Sequence, residues 1–191
     1  MKTAFLVLDL QNDLVHNDGP NGKGPLGEQV RSRNIIANTN AVIAKARAAS
    51  APVIFVRVGF SPDYRECSNN SPMFSGVRKA GLLKLGGWGT EIHPDLDKQE
   101  ADNLVTKHRV SPFYGTSLEV LLRANGIERL VLSGVSTAAV VQACTRDGHD
   151  RDYACVVVED CCAAANAKEH DDSIAVLARF AAMAKSADVE F

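Results

Sequence analysis

The sequence predicts a three-layer α/β fold, in which a mostly parallel β-sheet lies between two layers of helices. Short runs of apolar and β-branched residues, typical of strands buried on both faces, alternate with longer segments of helical periodicity. The 191 residues suffice for one domain with a full hydrophobic core. No repeat or low-complexity tract divides the chain, so we assign residues 1–191 to a single domain.

The first half of the chain predicts a β-α-β unit followed by a long loop. Residues 4–8 form an apolar run that stops at a carboxylate, as a buried strand does at the edge of a sheet. The spacing of apolar residues predicts one helix over residues 28–49, and Val53–Val58 is the next strand. The polar segment 59–103 is much longer than a usual strand-to-helix connection, which indicates a functional loop.

The second half predicts three further strands, each followed by a helix. The strands cover residues 103–106, 129–133 and 153–158. The helices cover residues 116–125, 137–151 and 167–185. Met183 belongs to the apolar face of the last helix, and a break at Gly134 separates the fourth strand from its helix.

Composition excludes several classes of function. Lys and Arg number 21 against 23 Asp and Glu, and no basic run occurs, so we expect neither nucleic acid nor a membrane surface as a partner. The N-terminal apolar run is too short for a signal peptide. The five cysteines form no CxxC motif, which argues against structural zinc and indicates free thiols in a reducing cytoplasm.

Polar or small residues follow three of the predicted strands. Asp9 follows the first strand, Lys107 the third, and a small-residue turn begins at Gly134 after the fourth. Ligands of parallel sheets bind outside the carboxyl ends of the strands, near the reversal of strand order. A carboxylate there suits general acid or base chemistry, and backbone N–H groups at a helix start suit an oxyanion. Each feature also has a structural explanation as a cap, a solvated edge or a close-packed turn.

These segments together resemble one family. The segments are LDLQND (8–13), TKHRVSPFYGT (106–116) and SGVST (133–137), followed by TRD (145–147) and DRDY (150–153). In order and spacing they are similar to the isochorismatase-like hydrolase superfamily over nearly the whole chain. The resemblance implies a six-stranded parallel sheet between helical layers, in agreement with the pattern of elements.

The resemblance also shows a departure at one catalytic position. Most members of the superfamily use an Asp, a Lys and a Cys on amides, and the resemblance aligns that Cys with Val140. Valine is not a nucleophile, so the acyl-enzyme route lacks its agent. Cys144 is one helical turn further on, roughly 6 Å along the axis, and we do not expect it to substitute.

Members without this Cys include the isochorismatases, which cleave a vinyl ether. The resemblance implies catalytic roles for Asp9 and Lys107, with protonated Asp9 as the acid that protonates the methylene carbon before water adds. Burial raises the pKa of such an acid and Lys107 opposes this. Two alternatives stay open: a catalytically silent binding or structural member, and an amidase (C–N hydrolase) whose nucleophile was replaced at Val140.

No metal or other cofactor is expected. Nicotinamidase-like relatives hold a divalent ion with an Asp and several His in the loop after the second strand, whereas residues 59–103 contain a single histidine, His93. The other histidines are scattered along the sequence and suggest no ligand pair.

The expected partner is a small-molecule substrate. Irregularly spaced aromatic residues in a polar loop suit the wall of a pocket, or contacts that pin the loop to the domain or to a second subunit. The long loop also contains Tyr64, Met73 and Phe74. Our candidate substrate-binding residues are Gln11, Phe60, Trp88, Tyr114, Ser136 and Thr137. The resemblance further implies a homo-oligomer, either a dimer or a tetramer.

Overall fold

A six-stranded, all-parallel sheet forms the centre of the computed structural model, which describes residues 1–191. The strands are β1 Thr3–Leu8, β2 Val53–Val58, β3 Asn103–Lys107, β4 Arg129–Val135, β5 Ala154–Ala163 and β6 Ala182–Ala184. Their order across the sheet is β3-β2-β1-β4-β5-β6. The order reverses between β1 and β4, and the predicted fold class is confirmed.

Seven helices connect the strands. They are α1 Asn12–Val15, α2 Pro25–Ser32, α3 Ile35–Ala48, α4 Val77–Ala80, α5 Leu118–Ala124, α6 Gln142–His149 and α7 Ala167–Leu177. A 3-10 turn covers Trp88–Thr90, and a π-helical turn covers Thr137–Val141 directly before α6. No helix combines the length and the apolar character that crossing a bilayer requires.

Two apolar cores lie on opposite faces of the sheet. Successive side chains of a strand point to opposite faces, so Leu6 and Leu8 of β1 enter one core while Phe5 and Val7 enter the other. Helices α5, α6 and α7 cover the first face, and α2 and α3 cover the second. Full burial of such a side chain stabilises the folded state by about 1.5 to 3 kcal/mol. Because the central strands are buried on both faces, nearly every residue in them is apolar, and continuous apolar runs therefore predict them.

The helix predicted over residues 28–49 is in fact two helices. The chain leaves α2 at Arg33 and enters α3 through Asn34, whose φ of 55° lies in the left-handed region. Asn tolerates this conformation better than most residues, because its short polar side chain hydrogen-bonds locally. The prediction was wrong here because both helices bury the same kind of apolar face, and periodicity alone does not reveal the break.

The prediction of a helix over residues 167–185 is also wrong for the second half of that range. Helix α7 ends at Leu177, and Ala182–Ala184 pairs with β5 as the edge strand β6. Met183 therefore lies opposite Val157 in the sheet instead of on a helix face. The conformation of residues 182–184 is determined by pairing with β5, a strand distant in sequence, and the local spacing of apolar residues does not indicate that pairing.

The fourth and fifth strands are longer than predicted. Strand β4 continues through Gly134 to Val135, and β5 extends to Ala163. Gly134 has a φ of 127°, and a Cβ at this position would overlap the backbone of Leu8 in β1. Only glycine allows this close approach, which brings the end of β4 beside the end of β1.

Candidate active site

The sheet topology brings Asp9, Lys107 and the turn after β4 to the same edge. Leu8 pairs with Gly134, so the turn that follows β4 lies next to Asp9. Lys107 is the last residue of β3, two strands away from β1. Asp9 has a φ of 57° and donates its backbone N–H to the carbonyl of Val56 at 2.9 Å, which turns the chain out of the strand.

Asp9 and Lys107 form a buried ion pair. Lys107 Nζ lies 2.8 Å from Asp9 Oδ2, and each side chain is 5% exposed or less. The ammonium also donates to the carbonyl oxygen of Arg109 at 3.1 Å. Asp9 Oδ1 is buried and has no hydrogen-bond partner. One carboxyl oxygen is therefore held by the lysine, and the other makes no hydrogen bond.

Burial raises the pKa of the Asp9 carboxyl above its ordinary value of 3.8, although the charge and the hydrogen bond of Lys107 act to lower it. Desolvation disfavours the carboxylate, and a positive neighbour favours it. Desolvation is the larger effect here. This favours a neutral Asp9 over a wider pH range than an exposed aspartate allows.

A pocket of about 220 Å³ adjoins this pair. Asp9, Lys107, Asn21 and Ser136 are its only polar lining residues. Its walls are apolar and include Leu14, Leu26, Met73, Phe74, Val77 and Leu83. Small-molecule sites typically have this composition, with a few polar groups set in an apolar wall.

The turn after β4 supplies another part of the lining. A cis peptide bond joins Val135 to Ser136, and the Ser136 hydroxyl accepts a hydrogen bond from the backbone N–H of Ala138 at 3.2 Å. Val140 is buried and lines the pocket together with Asp9 and Lys107. Val140 thus lies against the same cavity as the buried ion pair.

The cysteines offer no nucleophile in the pocket. Cys144 is fully buried and does not line the cavity. Burial raises the pKa of its thiol well above 9.0, so the reactive thiolate is strongly disfavoured. Burial likewise raises the pKa of the Cys155 thiol to about 11 and that of Cys162 to about 12.

The predicted substrate-binding residues divide into three groups. Ser136 lines the pocket. Gln11, Phe60 and Thr137 are fully buried and do not line it. Trp88 is 44% exposed and Tyr114 is 68% exposed, and neither contributes to its wall.

Two residues of the long loop do reach the pocket. Met73 and Phe74 belong to its wall, and the Phe60 ring packs against Phe74 with the two centroids 5.5 Å apart. The aromatic residues of the loop 59–103 are thus the feature of the sequence that predicts this wall of the pocket. Leu14, Leu26 and Asn21 were missed, since nothing in their local sequence separates pocket residues from ordinary loop or core residues.

Gln11, Asn12 and Asp13 anchor the long loop. The Gln11 amide accepts from Val58 N at 2.8 Å and donates to Val58 O at 2.9 Å. Asn12 Nδ2 donates to Trp88 O at 3.0 Å, and Asp13 Oδ2 accepts from Leu83 N at 2.7 Å. These side chains attach the loop to the end of β1 and thereby set the wall opposite Asp9.

The residues after β2 do not fit the divalent metal site of the nicotinamidase-like relatives. No group of three or more His, Cys, Asp or Glu side chains is arranged so that it could hold a metal ion. The His93 ring lies 5.2 Å from that of His16, and each Nδ1 accepts a backbone N–H, from Asp95 and Asp18 respectively. We therefore derive no chemistry through a metal.

Comparison with known proteins agrees with this geometry. Residues 3–188 match the sequence profile of the isochorismatase domain family. The ureidoacrylate amidohydrolase RutB of Pseudomonas syringae pv. syringae is 35% identical over 172 residues, which cover 83% of this chain and 69% of RutB. The isochorismatase family protein YecD of Escherichia coli O157:H7 is 34% identical over 173 residues, covering 90% of this chain and 85% of YecD.

Solved structures show the same fold. An isochorismatase family protein from Desulfovibrio vulgaris superposes with a TM-score of 0.85 at 25% identity, covering 97% of this chain and 95% of that protein. N-carbamoylsarcosine amidase from Thermoplasma acidophilum superposes with a TM-score of 0.76 at 28% identity, covering all of both chains. With a domain match that spans nearly every residue and relatives above 30% identity, this chain belongs to the isochorismatase family.

Proposed function

We propose that this protein is a small-molecule hydrolase that uses Asp9 as a general acid and no thiol nucleophile. The observation that carries this proposal is the state of the Asp9 carboxyl: it is buried beside a cavity, one of its oxygens has no partner, and burial raises its pKa. The resemblance to the family places Val140 at the position of the usual nucleophilic cysteine. A proton donor is thus present in a site that lacks a nucleophile.

The hydrogen bonds of Asp9 determine where its proton resides. Lys107 Nζ carries only donors and occupies Oδ2, so a neutral Asp9 carries its proton on Oδ1. When the proton is transferred, the carboxylate that remains is stabilised by the ammonium 2.8 Å away. Lys107 therefore stabilises the conjugate base without removing the acid, because burial is the larger influence on the Asp9 pKa.

Cleavage of a vinyl ether, such as the enol-pyruvyl ether of isochorismate, requires a proton donor and no nucleophilic side chain, and Asp9 can supply the proton. Asp9 transfers its proton to the terminal methylene carbon, and the C=C electrons form the new C–H bond, which leaves an oxocarbenium ion. Water adds to this cation and gives up a proton that restores Asp9. The resulting hemiketal collapses to a ketone, pyruvate in the case of isochorismate, and an alcohol. No covalent intermediate forms, so Val140 is compatible with the reaction.

The pocket favours a substrate with little charge. Lys107 is the only Lys, Arg or His side chain in its lining, and that ammonium already pairs with Asp9. Isochorismate carries two carboxylates, for which this lining offers no second cation. The substrate panel should therefore include neutral and singly charged enol ethers beside isochorismate.

The test is ketone release from this panel, followed by a coupled dehydrogenase. The wild-type protein and an Asp18→Asn control, which changes an exposed aspartate, should both release ketone. Asp9→Asn should lose activity by at least about a hundredfold, the usual contribution of a positioned proton donor, with its circular dichroism unchanged. Equal turnover by Asp9→Asn would overturn the proposal, and inactivity of the wild type on every member would favour a silent family member.

A second candidate function is amide hydrolysis. Its support is the 35% identity to a relative named ureidoacrylate amidohydrolase, together with the position of Val140 in the lining beside Asp9 and Lys107. Under this proposal the ancestral enzyme was a C–N hydrolase that lost its nucleophile. Ureidoacrylate and other carbamoyl amides are then the substrates on which a restored cysteine should act.

We also propose a homo-oligomer, a dimer or a tetramer, in a reducing cytoplasm. Large apolar side chains are exposed at Leu104, Tyr114, Val120 and Val176, which supports a covered surface in the assembly. All five cysteines are unpaired and buried, which supports a reducing compartment. Light scattering at micromolar concentration should report a multiple of 20.5 kDa, and a monomer would reject the oligomer.

A further inference from the structure

We propose that His170 is a positioning residue for the pocket: as a neutral imidazole that bridges Arg33 and Thr137, it holds the turn after β4 in place, and its protonation releases that turn. His170 lies in the first helical turn of α7 and is 2% exposed. It does not line the pocket. Its influence on a bound substrate is therefore exerted through its two hydrogen-bond partners.

Both ring nitrogens of His170 are engaged. Nε2 lies 2.8 Å from Arg33 Nη2, and Nδ1 lies 2.9 Å from Thr137 Oγ1. Arg33 belongs to the junction between α2 and α3, and Thr137 begins the π-helical turn. One imidazole thus connects three segments that are far apart in sequence.

The partners dictate the tautomer. A guanidinium has donors and no acceptor, so Arg33 must donate to Nε2, which carries no proton. The proton of a neutral imidazole is then on Nδ1, which donates to the hydroxyl oxygen of Thr137. A protonated ring would have N–H on both nitrogens, and Arg33 would face a donor. Neutral His170 is the only form that satisfies both contacts.

The contact between His170 and Thr137 fixes a turn that lines the pocket. Thr137 follows Ser136 and precedes Val140 by three residues, and both of those residues line the cavity. The backbone oxygen of Ser136 accepts N–H groups from Ala139 at 3.1 Å and from Val141 at 3.3 Å. The turn is thus one hydrogen-bonded unit, and a shift of Thr137 is transmitted to the lining.

Burial and the charge of Arg33 oppose the protonation of His170. Arg33 and Lys185 disfavour a second positive charge, whereas Asp171 and Glu159 favour it. Arg33 makes no ion pair within 4.0 Å, and its Nε is buried without a partner, so its charge is not neutralised locally. Burial, with Arg33 next in importance, lowers the pKa of His170 below 6.5. The bridge therefore persists at neutral pH and breaks on acidification.

The first test is ¹⁵N NMR of the histidine side chains in the intact protein. His170 should show a protonated Nδ1 and an unprotonated Nε2 at neutral pH, and should titrate below 6.5. A protonated Nε2, or titration at or above 6.5, would overturn the proposal. This measurement requires no substrate, so it is independent of the proposed function.

The second test measures amide hydrogen exchange in residues 137–141. His170→Ala should make exchange there about tenfold faster, the effect of losing one typical hydrogen bond, whereas His170→Gln, which retains a donor and an acceptor, should restore most of the protection. Unchanged exchange in a folded His170→Ala protein would contradict the proposal. If this variant fails to fold, acidification of the wild type should lower the protection factors of residues 137–141, which correct for the intrinsic exchange rate at each pH, before those of other segments. A uniform change in protection factors would contradict the proposal.

The kinetic consequence rests on the proposed function. With an accepted substrate, the wild-type rate should fall on acidification as His170 becomes protonated, and His170→Gln should lack this acidic limb at an unchanged kcat near neutral pH. An acidic limb that survives in His170→Gln would remove His170 from the control of activity. Failure to find any substrate would count against the proposed function. The NMR and exchange results would still show whether His170 bridges Arg33 and Thr137.

Discussion

The ammonium of Lys107 lies 2.8 Å from Oδ2 of Asp9, and both side chains are buried at the carboxyl edge of the sheet. An ordinary buried ion pair would hold the aspartate as an anion. Here burial is the larger effect and raises the pKa of Asp9, while Oδ1 is left without a partner. The pair thereby keeps an acid available and stabilises the anion that forms when the acid reacts.

Removing the lysine charge should make Asp9 a weaker acid. In Lys107→Met the charge and the hydrogen bond that lower the Asp9 pKa are lost, so that pKa should rise further above 3.8. The check is ¹³C NMR of the Asp9 side-chain carboxyl across a pH titration. Lys79→Met, which changes an exposed lysine, is the control and should leave the titration unchanged. A Lys107→Met value equal to or below that of the wild type would refute the assigned role of Lys107.

Restoring a thiol in the lining should create amidase activity if the second candidate function is right. Val140→Cys introduces a nucleophile beside Asp9 and Lys107. Turnover of the amide panel should then exceed that of the matched Val140→Ala control by roughly a hundredfold or more, because only the thiol variant has both a nucleophile and a proton-transfer partner. Equal rates for the two variants would exclude the lost-nucleophile interpretation.

A methyl group at Gly89 should loosen the long loop. A Cβ there would overlap the Asp13 carboxylate, which is buried and accepts the backbone N–H of Leu83 at 2.7 Å. Gly89→Ala should therefore cost about 1 to 3 kcal/mol, a typical penalty for overpacking, and lower the Tm by roughly 2 to 10 °C. Gly76→Ala is the matched control, since a Cβ there meets nothing within 4 Å. Equal melting temperatures would show that Asp13 does not anchor the loop.

Truncation of Gln11 should destabilise the junction between β1 and β2. The Gln11 amide satisfies both the N–H and the C=O of Val58, at 2.8 and 2.9 Å. Gln11→Ala leaves two buried backbone groups unpaired, and the free energy of unfolding should fall by about 2 to 4 kcal/mol. Urea denaturation provides the measurement, with the exposed Gln99→Ala as its control. A loss no greater than that of the control would contradict the role of Gln11 as a loop anchor.

Sequence patterns predict the central strands well because those strands are buried on both faces. Val53–Val58 has the predicted bounds, and Thr3–Leu8 differs by one residue. The patterns fail where a distant partner decides the structure: Met183 pairs with Val157 at the sheet edge, although its spacing continues the apolar face of α7. Asn34 shows a different failure, because its left-handed conformation separates two helices with one continuous periodicity.

The candidate site is predictable to a similar extent. Asp9 and Lys107 are candidates because Asp9 follows a predicted strand and Lys107 ends another, and parallel topology brings such ends to one edge. The role of Gln11 as a loop anchor is not readable, since its partners are backbone atoms of Val58, 47 residues away. The His170 bridge is likewise invisible in sequence, since it joins residues separated by 137 and 33 positions.

The protonation state of Asp9 decides most directly whether this residue is a general acid. In ¹³C NMR of the wild-type protein, the Asp9 carboxyl should titrate above 3.8. Turnover of an accepted enol ether should fall as the pH rises through that same value, because deprotonation removes the acid. An Asp9 carboxyl that titrates at or below 3.8 would contradict the central claim that Asp9 is a buried general acid.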